Sequence, residues 1–197
     1  MAVIISLLRG VNIGGHHIVK MDALRDLYES LGFQGVQTYV QSGNVVFRTK
    51  AGDTSKLAKR IAGAIEKEFG FRPVVVLRTT SELKDVISRN PFAGRHAIDP
   101  RKLAVMFLDD AVGPDCIQAA LQINTAPEEL RIHRREAYVH FPNGMARPKM
   151  SWPAIERALK TSSTGRNWNT VTKLFALAQA LESSANVKPA KTRASAR

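Results

Sequence analysis

Apolar and polar positions alternate along the chain in two different rhythms, and the switches between them mark the elements. Residues 3–8 form an almost continuous apolar run of strand length. After a glycine-rich segment, Met21, Leu24, Leu27, Tyr28 and Leu31 recur at helical spacing, and Gly32 supplies the left-handed position that ends a helix. Residues 36–41 and 44–48 read as two strands around Ser42-Gly43, a two-residue turn in which glycine takes a positive φ. Asp53 is a good N-cap for a second helix with Leu57, Ile61, Ile65 and Phe69 on one face and Gly70 at its end, and residues 73–77 follow as a strand. The order β-α-β-β-α-β is the ferredoxin-like arrangement.

The rhythm then begins again. Thr79 and Glu82 are spaced as a capping box for a third helix carrying Leu83, Val86 and Ile87, which Asn90-Pro91 closes. Residues 102–108 read as a strand, Pro114 opens a helix with Ile117 and Leu121, and residues 130–133 and 137–141 suit a hairpin around Arg134-Arg135-Glu136. Ser151 caps a short helix through Ile155 and Leu159. A last helix over about residues 167–181 places Val171, Leu174, Phe175, Ala178 and Leu181 on one face, which must pack on something. The expected fold is α+β: a ferredoxin-like βαββαβ unit over 1–78, then a second, incomplete ferredoxin-like unit lacking its last strand, with linking and C-terminal helices, over 79–182. The topology looks duplicated, although no residue-level repeat accompanies it. Residues 183–197 are small, polar and basic with a proline, a composition expected to form a disordered tail.

Composition changes this picture in two respects. The single cysteine, Cys116, cannot form an internal disulfide and points to a reducing, cytoplasmic compartment. The apolar run at the N-terminus stops at Arg9, too short for a signal peptide or a membrane span, so no membrane association is expected. The net charge is +12, of which +7 falls in residues 131–173, where nine basic residues face only Glu136 and Glu156. Such a surface attracts polyanions, and it also serves simply to keep a protein soluble.

The topology gathers the candidate chemistry at one end of the first unit. There the loop between the first strand and the first helix, with Arg9, Asn12, Gly14, Gly15, His16, His17 and Lys20, stands beside the turn Gln41, Ser42, Gly43 and Asn44, and the connection with Arg72 opens at the same end. The loop spans twelve residues where two to six usually suffice, and excess length with glycines marks a binding loop or a local hairpin. Gly14-Gly15 would let backbone N–H groups converge on an anion, with Arg9 and Lys20 as charge partners; alternatively the glycines only let the chain turn. Neither a Walker loop nor a GxGxxG fingerprint is present. A second candidate is Arg166, Asn167, Trp168 and Asn169 at the opening of the last helix, where N–H groups can receive a phosphate or be capped by asparagine.

Catalytic residues and cofactors stay unassigned. His16 and His17 are adjacent, with no cysteine or carboxylate cluster to complete a metal site, so no metal is expected. They are also the only obvious proton carriers near neutral pH at this end of the unit. An RNA-binding sheet of the RRM kind would present aromatics on its first and third strands, where only Phe47 occurs.

Several uninterrupted strings match a known family in order: residues 7–15 (LLRGVNIGG), 19–21 (VKM), 31–33 (LGF), 38–47 (TYVQSGNVVF) and 166–171 (RNWNTV). Over about residues 1–182 the chain resembles the bacterial domain-of-unknown-function family 1697. The resemblance implies an α+β fold with ferredoxin-like subdomains and brings no reaction, cofactor or catalytic residue. Its signature strings coincide with the loop, the turn and the last helix start singled out above. Three functions follow as expectations: binding of an anionic ligand, either a phosphorylated small molecule or nucleic acid; a small-molecule enzyme with its site at the loop and turn; or an interaction protein with no ligand.

Overall fold

The computed structural model describes residues 1–50, 52–95 and 98–186. The first unit contains β1 (Ala2–Leu8), α1 (Met21–Ser30), β2 (Gln34–Tyr39), β3 (Asn44–Thr49), α2 (Thr54–Phe69) and β4 (Val75–Thr79). Helix α3 (Thr80–Ser88) leads to β5 (Leu103–Leu108), α4 (Pro114–Leu121), β6 (Glu129–His133), β7 (Glu136–His140), α5 (Trp152–Leu159), β8 (Ser163–Asn167) and α6 (Trp168–Asn186). The two antiparallel sheets have the orders β2-β3-β1-β4 and β6-β7-β5-β8, so the architecture is α+β with the same strand order twice.

Local chemistry sets most boundaries. The Asp53 carboxylate accepts from the Ser55 and Lys56 amides, and Gly70 ends α2 at φ 76°. Thr79 and Glu82 form the expected capping box of α3. The β2–β3 connection is wider than the expected two residues: Val40 to Gly43 all lie outside the strands, with Val40 at φ 49° and Gly43 at φ 68°. A β-branched residue in the left-handed region is strained, and the hydrogen bonds of the turn hold it there.

Two expectations are corrected. The second unit is not incomplete, because β8 pairs with β5 along Ala104 to Leu108. Its sequence, STGRN, buries Ser163, Thr164 and Arg166 and lacks an apolar face by which hydropathy would reveal it. Arg166 and Asn167 therefore end a strand, and α6 begins at Trp168. Helix α6 also runs through Asn186, so residues 183–186 of the expected tail are helical, and residues 187–197 lie outside the described residues.

Burial divides into three layers. Strand β1 is covered on both faces: Ile4 and Leu8 pack with α1 and α2, while Val3, Ile5 and Leu7 join a central core shared by both sheets. Val105, Phe107 and Tyr138 from the second sheet, with Leu83 and Val86 of α3 and Val171, Leu174 and Ala178 of α6, complete this core. A third cluster places Ile155 and Leu159 of α5 against the outer face of the second sheet.

The duplication extends to individual hydrogen bonds. Arg78 pairs in register with Ile5 of β1, and Arg166 pairs with Val105 of β5. Each arginine crosses to the other unit. Arg78 Nη2 donates to the carbonyls of Leu108 (3.0 Å) and Arg135 (3.1 Å), and Arg166 Nη2 to those of Leu8 (2.8 Å) and Ser42 (2.9 Å). Their Nε atoms donate to the side chains that head the third strand of the other unit, Glu136 for Arg78 and Asn44 for Arg166. The Leu8 and Leu108 amides likewise donate to Gly43 and Arg135, and those of Arg9 and Asp109 to Val74 and Ser162.

Candidate functional site

Asn12 fixes the base of the long loop. Its side chain accepts from the Val19 amide at 2.8 Å and donates to the carbonyls of Val19 and Gln41 at 3.0 and 2.9 Å, which ties the loop to the β2–β3 turn. Beyond it the chain forms a small hairpin, Ile13 bridging to His16, with Gly14 at φ 61° and Gly15 at φ 78° as its tip. Two consecutive positive φ values fit a primed turn, which demands such residues. The glycines thus turn a hairpin and do not stand ahead of a helix N-terminus. His17 stacks on Phe71 with ring centroids 4.2 Å apart.

Gly43 sits where two strand ends meet. A Cβ there would lie 2.8 Å from Leu8 Cβ and 3.2 Å from Val11 Cβ. Asn44 is wholly buried, donates to the Tyr39 carbonyl and Ser42 Oγ at 3.0 Å, and accepts from Arg166. Arg166 uses Nη1 on Thr164 Oγ1 and the Gly165 carbonyl, both at 2.8 Å, so every N–H of its guanidinium is engaged. Burial without a carboxylate partner pushes its pKa down to about 10.

These braces form the back of a cleft of about 480 Å³ between the units. Of the residues singled out in the sequence, Arg9, Ser42, Arg166 and Asn167 line it. Asn12, Gly43 and Asn44 shape the adjoining turns, while Gly14, Gly15, Lys20 and Gln41 are exposed and do not line it. Asn167 caps α6 by accepting from the Thr170 amide at 2.8 Å, Trp168 packs against the central core, and Asn169 is exposed. The two candidate regions therefore meet, although several of their side chains are committed to structure.

Sequence reasoning missed the opposite wall, which the second unit supplies. Met106, Phe141, Met145 and Trp152 make it apolar. Arg9 reaches across to Glu156 in a bidentate pair at 2.8 and 3.0 Å, and the Ser163 amide and hydroxyl also donate to Glu156 at 2.8 and 2.7 Å. Trp152 Nε1 donates to Ser163 Oγ at 2.8 Å. The sequence did hold a signal: Glu136 and Glu156, the only acidic residues of the basic stretch 131–173, are the two that pair with Arg78 and Arg9 across the units.

Among the described residues, no helix is long and apolar enough to cross a membrane, and no three His, Cys, Asp or Glu side chains gather to hold a metal ion.

Comparison with known proteins agrees with the fold. No curated protein matches the chain. The solved structure of the conserved bacterial protein SP0830 from Streptococcus pneumoniae is similar, with a TM-score of 0.68 and 19% identity, covering 90% of this chain and 98% of that one. At that identity the likeness concerns the fold. A family model described as a protein of unknown function, DUF1697, matches residues 1–138, which takes in the hairpin loop, the β2–β3 turn and the second unit as far as β7, and stops short of Arg166. The chain belongs to this DUF1697 family.

Proposed function

We propose that the protein binds an anionic small molecule with an apolar or aromatic body in the cleft between its two units. The observation that carries this reading is the pairing of Arg9, 42% exposed at its side chain, with an apolar wall of Met106, Phe141, Met145 and Trp152. The bidentate pair with Glu156 occupies one N–H on each terminal nitrogen of Arg9, and the remaining three have no partner among the described residues. A second guanidinium, Arg166, lies buried behind Ser42, so the local field favours an anion. Cleft size and mixed lining suit a small ligand. Nucleic acid fits less well, because the site is concave and Arg166, the basic residue of the second half nearest to it, has no donor to spare.

The test is a thermal-shift screen with nucleotides, sugar phosphates and aromatic carboxylates, followed by titration of Trp152 fluorescence in a Trp168→Phe background. A ligand at a hundred times its Kd should stabilise the fold by about 2.7 kcal/mol. It should also change Trp152 emission and bind roughly tenfold or more weakly to Arg9→Gln. Stabilisation by short oligonucleotides alone, or binding indifferent to Arg9→Gln, would refute the reading.

A further inference from the structure

The duplicated frame contains a second cleft, of about 580 Å³, at the place equivalent to the first. Where the first is built from the end of β1, strand β8 and helix α5, this one is built from the end of β5, strand β4 and helix α2. The equivalence is fixed by hydrogen bonds, since Arg9 and Asp109 donate their amides to matching carbonyls, Val74 and Ser162. The mouth position that carries Arg9 in one cleft carries Asp109 in the other, followed by Asp110.

Charge is distributed here in an unusual way. Among the described residues, no cation lies within 4.0 Å of the Asp109 or Asp110 carboxylate, and neither carboxylate accepts a hydrogen bond. Arg135 reaches Asp109 only at its backbone carbonyl, 2.8 Å away. Lys59, on the α2 wall, likewise has no carboxylate within 4.0 Å, whereas Arg72 beside it is held by Glu66 at 2.6 Å. In the first cleft, by contrast, the charged side chain at the equivalent position, Arg9, has an ion-pair partner in Glu156. Partial burial of Asp109 next to Asp110 raises its pKa, with Arg135 and Arg78 opposing, as expected of a carboxylate that lacks a close cation.

Unpaired carboxylates at one wall and an unpaired ammonium at the other match a ligand that bears both charges. A simple cation would meet Lys59, Arg72 and Arg135, and a simple anion would meet Asp109 and Asp110; a zwitterion satisfies both walls. We propose that this second cleft binds a zwitterionic amino compound the size of a free amino acid or dipeptide. Its ammonium lies at Asp109 and Asp110 and its carboxylate toward Lys59.

Calorimetric titration of the full chain with the free amino acids and with alanyl-alanine, each beside its N-acetylated and C-amidated form, tests this. At least one zwitterion is expected to bind saturably. Acetylation and Asp110→Asn should each weaken it about tenfold, and amidation and Lys59→Met by a similar factor. Asp110 and Lys59 are exposed, so both variants should fold as the parent does, which a thermal melt checks. The proposal is overturned if none of these compounds binds, if blocked and free forms bind alike, or if putrescine or inorganic phosphate alone binds as strongly.

Discussion

Arg78 and Arg166 occupy equivalent places in the two units, one opposite Ile5 and the other opposite Val105, and each closes the end of the other unit's central strand. They differ in what they neutralise. Arg78 pairs with the Glu136 carboxylate, whereas the partners of Arg166 are neutral oxygens.

That difference predicts unequal costs. Arg78→Met strands a carboxylate that is only 13% exposed and should cost about 3–5 kcal/mol. Arg166→Met leaves neutral acceptors unpaired and should cost about 1–3 kcal/mol. Adding Glu136→Gln to Arg78→Met should recover part of the loss, whereas adding Asn44→Ala to Arg166→Met should not. Urea unfolding of the four variants measures all of these effects.

The turn glycines should separate by surroundings. Gly43→Ala combines a positive φ with overlap on Leu8 and Val11 and should cost about 2–4 kcal/mol. Gly15→Ala, also at positive φ but with nothing within 4 Å, should cost about 1 kcal/mol. Thermal melts that rank the two variants equally would contradict this account of the turn.

Asp109 gives a pH signature. Its carboxyl is raised by burial and by Asp110, so the folded state holds the proton more tightly than the unfolded chain. The associated stability is present below the unfolded carboxylate pKa and is lost as pH rises through the folded value. Asp109→Asn should therefore gain stability relative to the parent as pH rises from below the ordinary carboxylate range through the folded value of Asp109, and stay level above it, which denaturation at a series of pH values resolves.

The Arg9–Glu156 pair spans the units at the surface. A double-mutant cycle with Arg9→Gln and Glu156→Gln should give a coupling of about 0.5–1 kcal/mol that shrinks in 1 M salt. A coupling insensitive to salt would mean that the pair is less open to solvent than its Arg9 side suggests.

Elements with a one-sided apolar pattern were legible in the sequence, as were caps such as Asp53 and the Thr79–Glu82 box. Strand β8 was not, because its buried side chains are Ser163, Thr164 and Arg166, whose partners come from Glu156, Leu8 and the β2–β3 turn. The end of the fold at which loop and turn meet followed from strand order. Which of their polar side chains face a cleft did not. Asn12 and Asn44 resemble ligand-binding residues in sequence and serve as backbone braces, and the wall with Trp152 and Glu156 comes from a unit more than a hundred residues away.

The crossed arginines also bear on how the chain comes apart. Neither half finishes its own central strand: the last carbonyl of each is capped by a donor that only the other half owns. With a hydrophobic core drawn from both sheets, the halves should melt in a single transition. A protease cut in the linker between Ser88 and Pro100 should leave two fragments that travel together through a sizing column, much as two subunits of a dimer would.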